Sequence, residues 1–484
     1  MIPVDSCCSL HGASRDEILQ SVCHRHLLYL SDSLDFSVLG WSFEEGQADF
    51  QEELLSILRS EDDTPEKKVA IAVWIRYYSR GWSFKEKQAL RRRGMKLERP
   101  LNMGMVGGGP GAFIGEVHLK AARMDGGIQV VAGVFSRSPE KSRETGRRLF
   151  LDPQRMYASY EELVEKERKL PEGKRVDFVS IVTPNNSHYP IAKALLEGGF
   201  HVMCEKPMTF TTGEARELQA VVRRTGKVFG LMHNYTGYPM VKLARDLVRG
   251  GELGTVRKIV VQYPQGWLTT PLEATGSKQA GWRTDPAQSG AAGALGDIGT
   301  HGENLSEYIT GLNITHVCAD VSTHVSGRRL DDDCNCLLRF EKGAKGLLHV
   351  SQISVGEENN LAIWVYGAEK SLEWHQEHPN ELSLKEGNGP VHVFRRGNPY
   401  VAAKSAAAER ATRLPFGHPE GFIEAFANVY NNFADTIRAS LSGEPPEPLA
   451  LDFPNVDDGT RGMLFVESAL ASAWSSEKWT PVIS

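Results

Sequence analysis

Lys206 stands between Glu205 and Pro207, one residue past the strand-like run Phe200 to Cys204. Proline restricts the residue before it to an extended conformation, so the Lys206 ammonium is aimed out of a strand end instead of back along a helix. An ammonium so placed can hold a reacting oxygen and take part in relaying a proton. A solvated turn lysine is the plain alternative. A second candidate for proton chemistry is Gly296-Asp297-Ile298-Gly299-Thr300-His301, where Asp297 and His301 lie four apart and share one face of a helix. His301 can exchange protons near neutral pH, and Asp297 can accept a hydrogen bond from a substrate hydroxyl. A helical ion pair or a satisfied core histidine would explain the same spacing without chemistry.

The turn Val106-Gly107-Gly108-Gly109-Pro110-Gly111-Ala112 fits the dinucleotide fingerprint, with Gly107 and Gly109 in its first two places and Ala112 in the third. Glycines let backbone amides approach a pyrophosphate, and Pro110 and Gly111 lead into a helix whose positive end points at those oxygens. NAD-binding versions place an acidic residue at the end of the second strand, whereas this chain has Ser136-Arg137-Ser138 there. Ser136 and Arg137 suit a 2′-phosphate and lean toward NADP, and an arginine stacked on adenine serves NAD equally, so the expected cofactor is NAD or NADP. Thr183-Pro184-Asn185-Asn186-Ser187-His188 puts polar groups at the end of a third strand, at the carboxyl edge where open parallel sheets bind ligands.

The elements that must position these groups follow from periodicity. Met103 to Val106, Ile128 to Phe135, Val176 to Val182 and Phe200 to Cys204 are buried-strand runs separated by helical sequence, with Ser138-Pro139 as cap and first helical position. The expected fold class is α/β, opening with a doubly wound parallel sheet. After about Gly230 the strands Lys258 to Tyr263, Cys336 to Phe340, Gly346 to Ser354 and Ala362 to Tyr366 predict an antiparallel sheet, closed by helices over Phe422 to Ile437 and Gly462 to Trp474. The alanine-rich stretch Ala402 to Ala408 is expected to be an insertion or loop. The first hundred residues show helical spacing, with capping boxes at Ser42/Glu45 and Ser83/Glu86 inside a repeated Gly-Trp-Ser-Phe. A helix-turn-helix reading of the segment ending Arg91-Arg92-Arg93 is weaker than a docking or oligomerisation module, or a solvated appendage. The expected domains are 1–97, a helical module; 98–230, a dinucleotide-binding domain; and 231–484, a substrate-binding and oligomerisation domain.

A net charge of −6 gives no footprint for a polyanion, so no nucleic-acid partner is expected. No apolar run reaches the ~20 residues that span a bilayer. Met1 to Leu10 does not read as a secretory signal, which makes cytoplasmic residence the expectation. Seven scattered cysteines form no disulfide framework. Cys334 and Cys336 share a strand face without a second ligand pair, so they are read as packing and no metal site is expected.

The combination of the Gly107 turn, Glu205-Lys206-Pro207, Trp282-Arg283 and Asp297-x-x-x-His301 resembles the Gfo/Idh/MocA oxidoreductases from Leu101 to the C-terminus. The resemblance implies a Rossmann-like domain followed by an α/β domain whose large, mostly antiparallel open sheet mediates homodimer or homotetramer formation. It makes Lys206, Asp297 and His301 the catalytic group, with the base left open between Lys206 and His301. It places Thr183, Pro184, Asn185 and His188 beside the nicotinamide, with Glu205 nearby. Many members carry arginines where this chain reads His233-Asn234-Tyr235-Thr236-Gly237-Tyr238-Pro239, so substrate contacts should differ there. By the same analogy Asn234, Tyr235, Trp267, Trp282 and Arg283 join Asp297 and His301 around the substrate. Trp267 can stack on a pyranose face, and Lys278 joins a polar pocket suited to a carbohydrate or polyol.

Three activities fit these expectations. The leading one is reversible alcohol/ketone conversion on a sugar, glycoside or cyclitol with NAD(P). The others are glycoside cleavage through transient ring oxidation and elimination, and a non-catalytic nucleotide-binding regulator contacting partners through the N-terminal helices.

Overall fold

The structure is a computed structural model that describes residues 99–483; the expected helical module at 1–97, with its capping boxes and basic segment, lies outside the described residues. A five-stranded parallel sheet comes first. Its strands are β1 (Leu101–Gly107), β2 (Ile128–Val134), β3 (Phe178–Val182), β4 (His201–Glu205) and β5 (Phe229–Met232), in the order β2-β1-β3-β4-β5. Helices α1 (Phe113–Arg123), α2 (Pro139–Arg148), α3 (Tyr160–Glu167), α4 (His188–Glu197) and α5 (Thr212–Thr225) connect them. β3 and β4 are buried along their whole length, which is why their sequences are mostly apolar with no alternation. The order reverses between β1 and β3, so a crevice opens at their carboxyl ends. α2 begins as its sequence requires, with Pro139 in the first turn and the Ser138 hydroxyl accepting from the Lys141 amide.

Past β5, helix α6 (Pro239–Arg249) leads into a nine-stranded sheet in the order β13-β12-β11-β10-β6-β9-β8-β7-β14, the last being the two-residue strand Thr480–Pro481. Its central strands are β6 (Lys258–Pro264), β8 (Asp333–Phe340), β9 (Lys345–Ser351) and β10 (Ala362–Tyr366); β7 (Ile314–Ser322) flanks β8, and β11 (Lys370–His375), β12 (Glu381–Glu386) and β13 (Val391–Arg395) extend the other side. Every pairing is antiparallel except β6 with β9. β8 and β9 alternate, turning Leu338, Leu348 and Val350 inward and leaving Leu337 and Leu347 exposed. The inward face packs on α6 and on the later helix that carries His301. Cys334 and Cys336 lie on that buried face with sulfurs 3.6 Å apart.

The stretch Ala402 to Ala408 is not a loop. It forms the short helices Pro399–Lys404 and Ala406–Arg410, because alanine is the best helix former and Ser405 breaks and recaps the chain, its hydroxyl accepting from the Ala408 amide at 2.9 Å. Two long helices end the fold and return to the first sheet. Phe426, Val429, Tyr430, Phe433 and Ile437 of Phe422–Ser442 share one buried cluster with Leu101, Met103 and Phe178. Val456 and Met463 of Val456–Ala473 join the cluster on the opposite face with Val106, Ile181 and Val202. No helix among the described residues is long and apolar enough to cross a membrane.

Candidate active site at the carboxyl edge of the parallel sheet

The turn between β1 and α1 can be built only from glycine at several points. Gly107 has φ +95°, and a Cβ there would lie 2.6 Å from the Val182 carbonyl; at Gly109 it would lie 2.5 Å from the Phe135 carbonyl. Gly111, at φ +75°, faces open space. Ala112 is the N-cap of α1 and offers its first amides no side-chain acceptor. An uncapped helix start above a side-chain-free turn fits a dinucleotide's pyrophosphate. The third, close-packing place of the fingerprint differs from expectation: it is filled by Gly115, where a Cβ would sit 2.4 Å from the Gly108 Cα. A glycine inside a helix, where alanine is better by about 1 kcal/mol, was the available signal. At the end of β2, the Ser136 hydroxyl accepts from the Ser138 amide, and Arg137 is exposed.

The loop after β3 is tied down on both sides. Asn185 donates to the Ser289 carbonyl at 2.9 Å and Ser187 to the Thr183 hydroxyl at 2.7 Å, while Pro184 caps the single turn between them. His188 is fully buried, with Nδ1 2.8 Å from the Pro207 carbonyl and Nε2 2.9 Å from that of Thr183. Burial pushes its pKa down. It therefore braces the Thr183 loop against the turn after β4 and does not face the crevice.

Lys206 and Asp297 meet across the crevice. The ammonium donates to Asp297 Oδ1 at 2.8 Å and to its main-chain oxygen at 2.6 Å. Asp297 Oδ2 accepts from Gln352 Nε2 at 2.9 Å and lies 3.3 Å from Arg283 Nε. Burial opposes ionisation of this carboxyl, but Lys206 and then Arg283 outweigh it and hold its pKa far below the usual carboxylate range. The Arg283 guanidinium stacks on Trp282 at 4.2 Å and faces Trp267 at 5.9 Å. Helix geometry here departs from the expected single α-helix: Leu295–Gly299 is a π-helical turn, and the α-helix α7 (Thr300–Thr310) starts after it. Such a wide turn changes the angle between positions four apart and is frequent at functional sites. Asp297 thus faces the two cations, while His301 lies against Tyr235, ring centres 4.7 Å apart, with Nδ1 3.4 Å from that of His233. Burial, then the Lys206 charge, pushes the His301 pKa well down, so its imidazole is neutral.

The remaining candidates separate. Asn234 is buried, and its Nδ2 has no hydrogen-bond partner among the described residues. The Tyr235 hydroxyl is bonded to that of Tyr263, and the Trp267 indole donates to Gln265 at 3.1 Å. Lys278 does not join Trp282 and Arg283 around a pocket; its ammonium lies 3.2 Å from the Pro110 carbonyl, against the glycine turn. The Glu205 carboxylate points away from the crevice, to His118 at 2.8 Å. Gln352 and His118 were missed by sequence reasoning, because nothing in their local spacing distinguishes them from other strand-end or helix residues.

A protein-family model described as "Oxidoreductase family, NAD-binding Rossmann fold" matches residues 101–233, and one described as "GFO/IDH/MocA C-terminal domain" matches 241–373. The chain is 34% identical to the uncharacterized oxidoreductase YfiI of Bacillus subtilis, over 79% of this chain and 97% of that one. It is 27% identical to levoglucosan dehydrogenase of Pseudarthrobacter phenanthrenivorans, over 77% and 97% respectively. The solved inositol dehydrogenase homolog from Azotobacter vinelandii, complexed with NAD+, superimposes with a TM-score of 0.75 at 35% identity, covering 80% of this chain and 98% of that one. These matches favour NAD over the NADP lean drawn from Ser136 and Arg137.

Proposed function

The chain belongs to the Gfo/Idh/MocA family of NAD-dependent oxidoreductases, and from that premise we propose that it oxidises a secondary alcohol of an uncharged cyclic polyol, a sugar, glycoside or cyclitol, to the ketone. The observation that carries this reading is the Lys206 to Asp297 pair at 2.8 Å beside a neutral His301. A bound NAD would supply the hydride acceptor in its nicotinamide ring, and the glycine turn and the helix start at Ala112 would hold its pyrophosphate. Two of the three Lys206 N–H donors are taken by Asp297, which leaves one to hold the substrate oxygen as it becomes negative. Asp297 keeps that ammonium in place. His301, neutral and buried, takes the hydroxyl proton. Asn234 offers its unpartnered amide to a second hydroxyl, and Trp267 and Trp282 flank the ring's apolar face.

The charge inventory argues for a neutral substrate. Among the described residues Lys206 and Arg283 both share the Asp297 carboxylate, so the cations of the site are already partly neutralised before a substrate arrives. The names of the related inositol and levoglucosan dehydrogenases point to the same class.

The test is to incubate the full chain with NAD+ and a panel of inositols, levoglucosan, glucosides and sugar phosphates, following reduced-nicotinamide absorbance. NADH should form in step with ketone on neutral polyols and not on phosphorylated ones. Lys206→Ala should lower kcat about 10²- to 10⁴-fold while NADH titration stays within about twofold. No turnover on any neutral polyol, or an active Lys206→Ala protein, would reject the reading.

A further inference from the structure

Behind Lys206 runs a buried chain of polar groups that the reaction itself does not use. The Lys206 amide donates to Glu205 Oε2 at 3.0 Å; Glu205 Oε1 is 2.8 Å from His118 Nε2; His118 Nδ1 is 2.6 Å from the Tyr430 hydroxyl; that hydroxyl is 2.8 Å from Ser180 Oγ. His118, Ser180 and Tyr430 are 0% exposed and Glu205 7%. Burial alone would keep Glu205 protonated, yet His118 and Lys206 outweigh it and hold the carboxyl ionised. An ionised carboxylate only accepts, so His118 Nε2 carries the hydrogen. The other ring nitrogen meets the Tyr430 hydroxyl, and that hydroxyl meets Ser180 Oγ, so the four side chains form one unbroken buried chain of hydrogen bonds. Members of such a chain polarise one another and restrain one another's orientation.

Four elements meet in this chain: β3, β4, the helix α1 that follows the glycine turn, and the long C-terminal helix Phe422–Ser442. Its end point is the main chain of the residue whose ammonium lies on Asp297. Resting on the reading above, we propose that His118 and Tyr430 are positioning residues for that oxidation: by clamping Glu205 they fix the Lys206 backbone and hence the reach of its ammonium to the substrate oxygen. A displacement of about 1 Å in such a group costs up to about a hundredfold in rate, which is the leverage a residue outside the crevice can have.

Two measurements test it, one independent of turnover. The first is acetylation of Lys206 by an active ester in the protein without cofactor, mapped by mass spectrometry against exposed lysines such as Lys174. The second is steady-state kinetics on a neutral polyol together with NADH titration. Tyr430→Phe removes one oxygen, His118→Leu removes both bonds, and His118→Gln restores a donor to Glu205. Tyr430→Phe and His118→Leu should raise Lys206 acetylation at least about threefold and lower kcat about ten- to a hundredfold, with the KM for polyol and the NADH affinity within about twofold. His118→Gln should recover most of the kcat. Unchanged Lys206 labelling in both Tyr430→Phe and His118→Leu overturns the proposal, even if their melting temperatures fall. If the unaltered chain turns over no polyol, the functional reading fails by itself, and labelling still decides whether the clamp holds Lys206.

Discussion

Asp297 is the residue on which two cations converge, and its role depends on being charged. The carboxylate balances the Lys206 ammonium and the Arg283 guanidinium, each of which would otherwise repel the other across the crevice. Removing one member of a largely buried ion pair is costly because its partner is left without compensation. Asp297→Asn keeps the shape and deletes the charge. We expect its kcat to fall about 10²- to 10³-fold with NADH affinity nearly unchanged, read by steady-state kinetics and fluorescence titration. Activity within threefold of the unaltered chain would mean that the carboxylate charge has no part in turnover. Lys206, Asp297 and His301 stood out in the sequence because each is a reactive type beside a proline, a glycine or a partner at helical spacing. Gln352 and Arg283 complete the Asp297 environment from other segments, and no spacing rule links either to Asp297.

At the scale of elements, the cofactor seat depends on how closely α1 approaches the turn that precedes it. The Gly108 and Gly115 backbones come together so tightly that a single methyl group would meet a Cα at 2.4 Å. Gly115→Ala should push α1 away from the turn, destabilise the fold by about 1–3 kcal/mol, and weaken NADH binding at least about tenfold. Gly126→Ala is the control. That glycine has φ +67° with open space around it, so the substitution carries backbone strain without moving the turn, and NADH affinity should hold. Equal losses of affinity in the two variants would dissociate helix approach from cofactor binding. The second element that matters is the π-helical turn Leu295–Gly299. It sends Asp297 toward the cations and leaves His301 on the following α-helix, a division that a regular helix reading of the same residues did not anticipate.

At the scale of the molecule, the parallel sheet is not self-sufficient. Its two faces are completed by helices Phe422–Ser442 and Val456–Ala473, which arrive about two hundred residues after the last parallel strand. Phe426, Tyr430, Phe433 and Ile437 are each at most 2% exposed in that packing. At about 1.5–3 kcal/mol per buried large side chain, these four represent about 6–12 kcal/mol, comparable to the net stability of a whole domain. A fragment of residues 98–233 should therefore lack a cooperative thermal transition and bind a hydrophobic dye, whereas the chain from residue 98 to 484 should melt cooperatively. A cooperatively folding short fragment would show that the returning helices are dispensable.

The parallel and antiparallel sheets, the glycine turn and the principal reactive side chains were legible in the sequence because each is written in local spacing: apolar runs, alternation, a proline after a lysine. The first close-packed helix contact was shifted by three residues, from Ala112 to Gly115, since the fingerprint encodes a turn and not a distance. The alanine-rich stretch reads as a loop from its own sequence because its burial against α6 has no local signature. Tertiary structure alone decided which side chains stand behind the reactive ones. His118 and Tyr430 are 312 positions apart and 2.6 Å distant, and a contact of that kind arises when segments remote in sequence fold back on one another, which no neighbouring residue records.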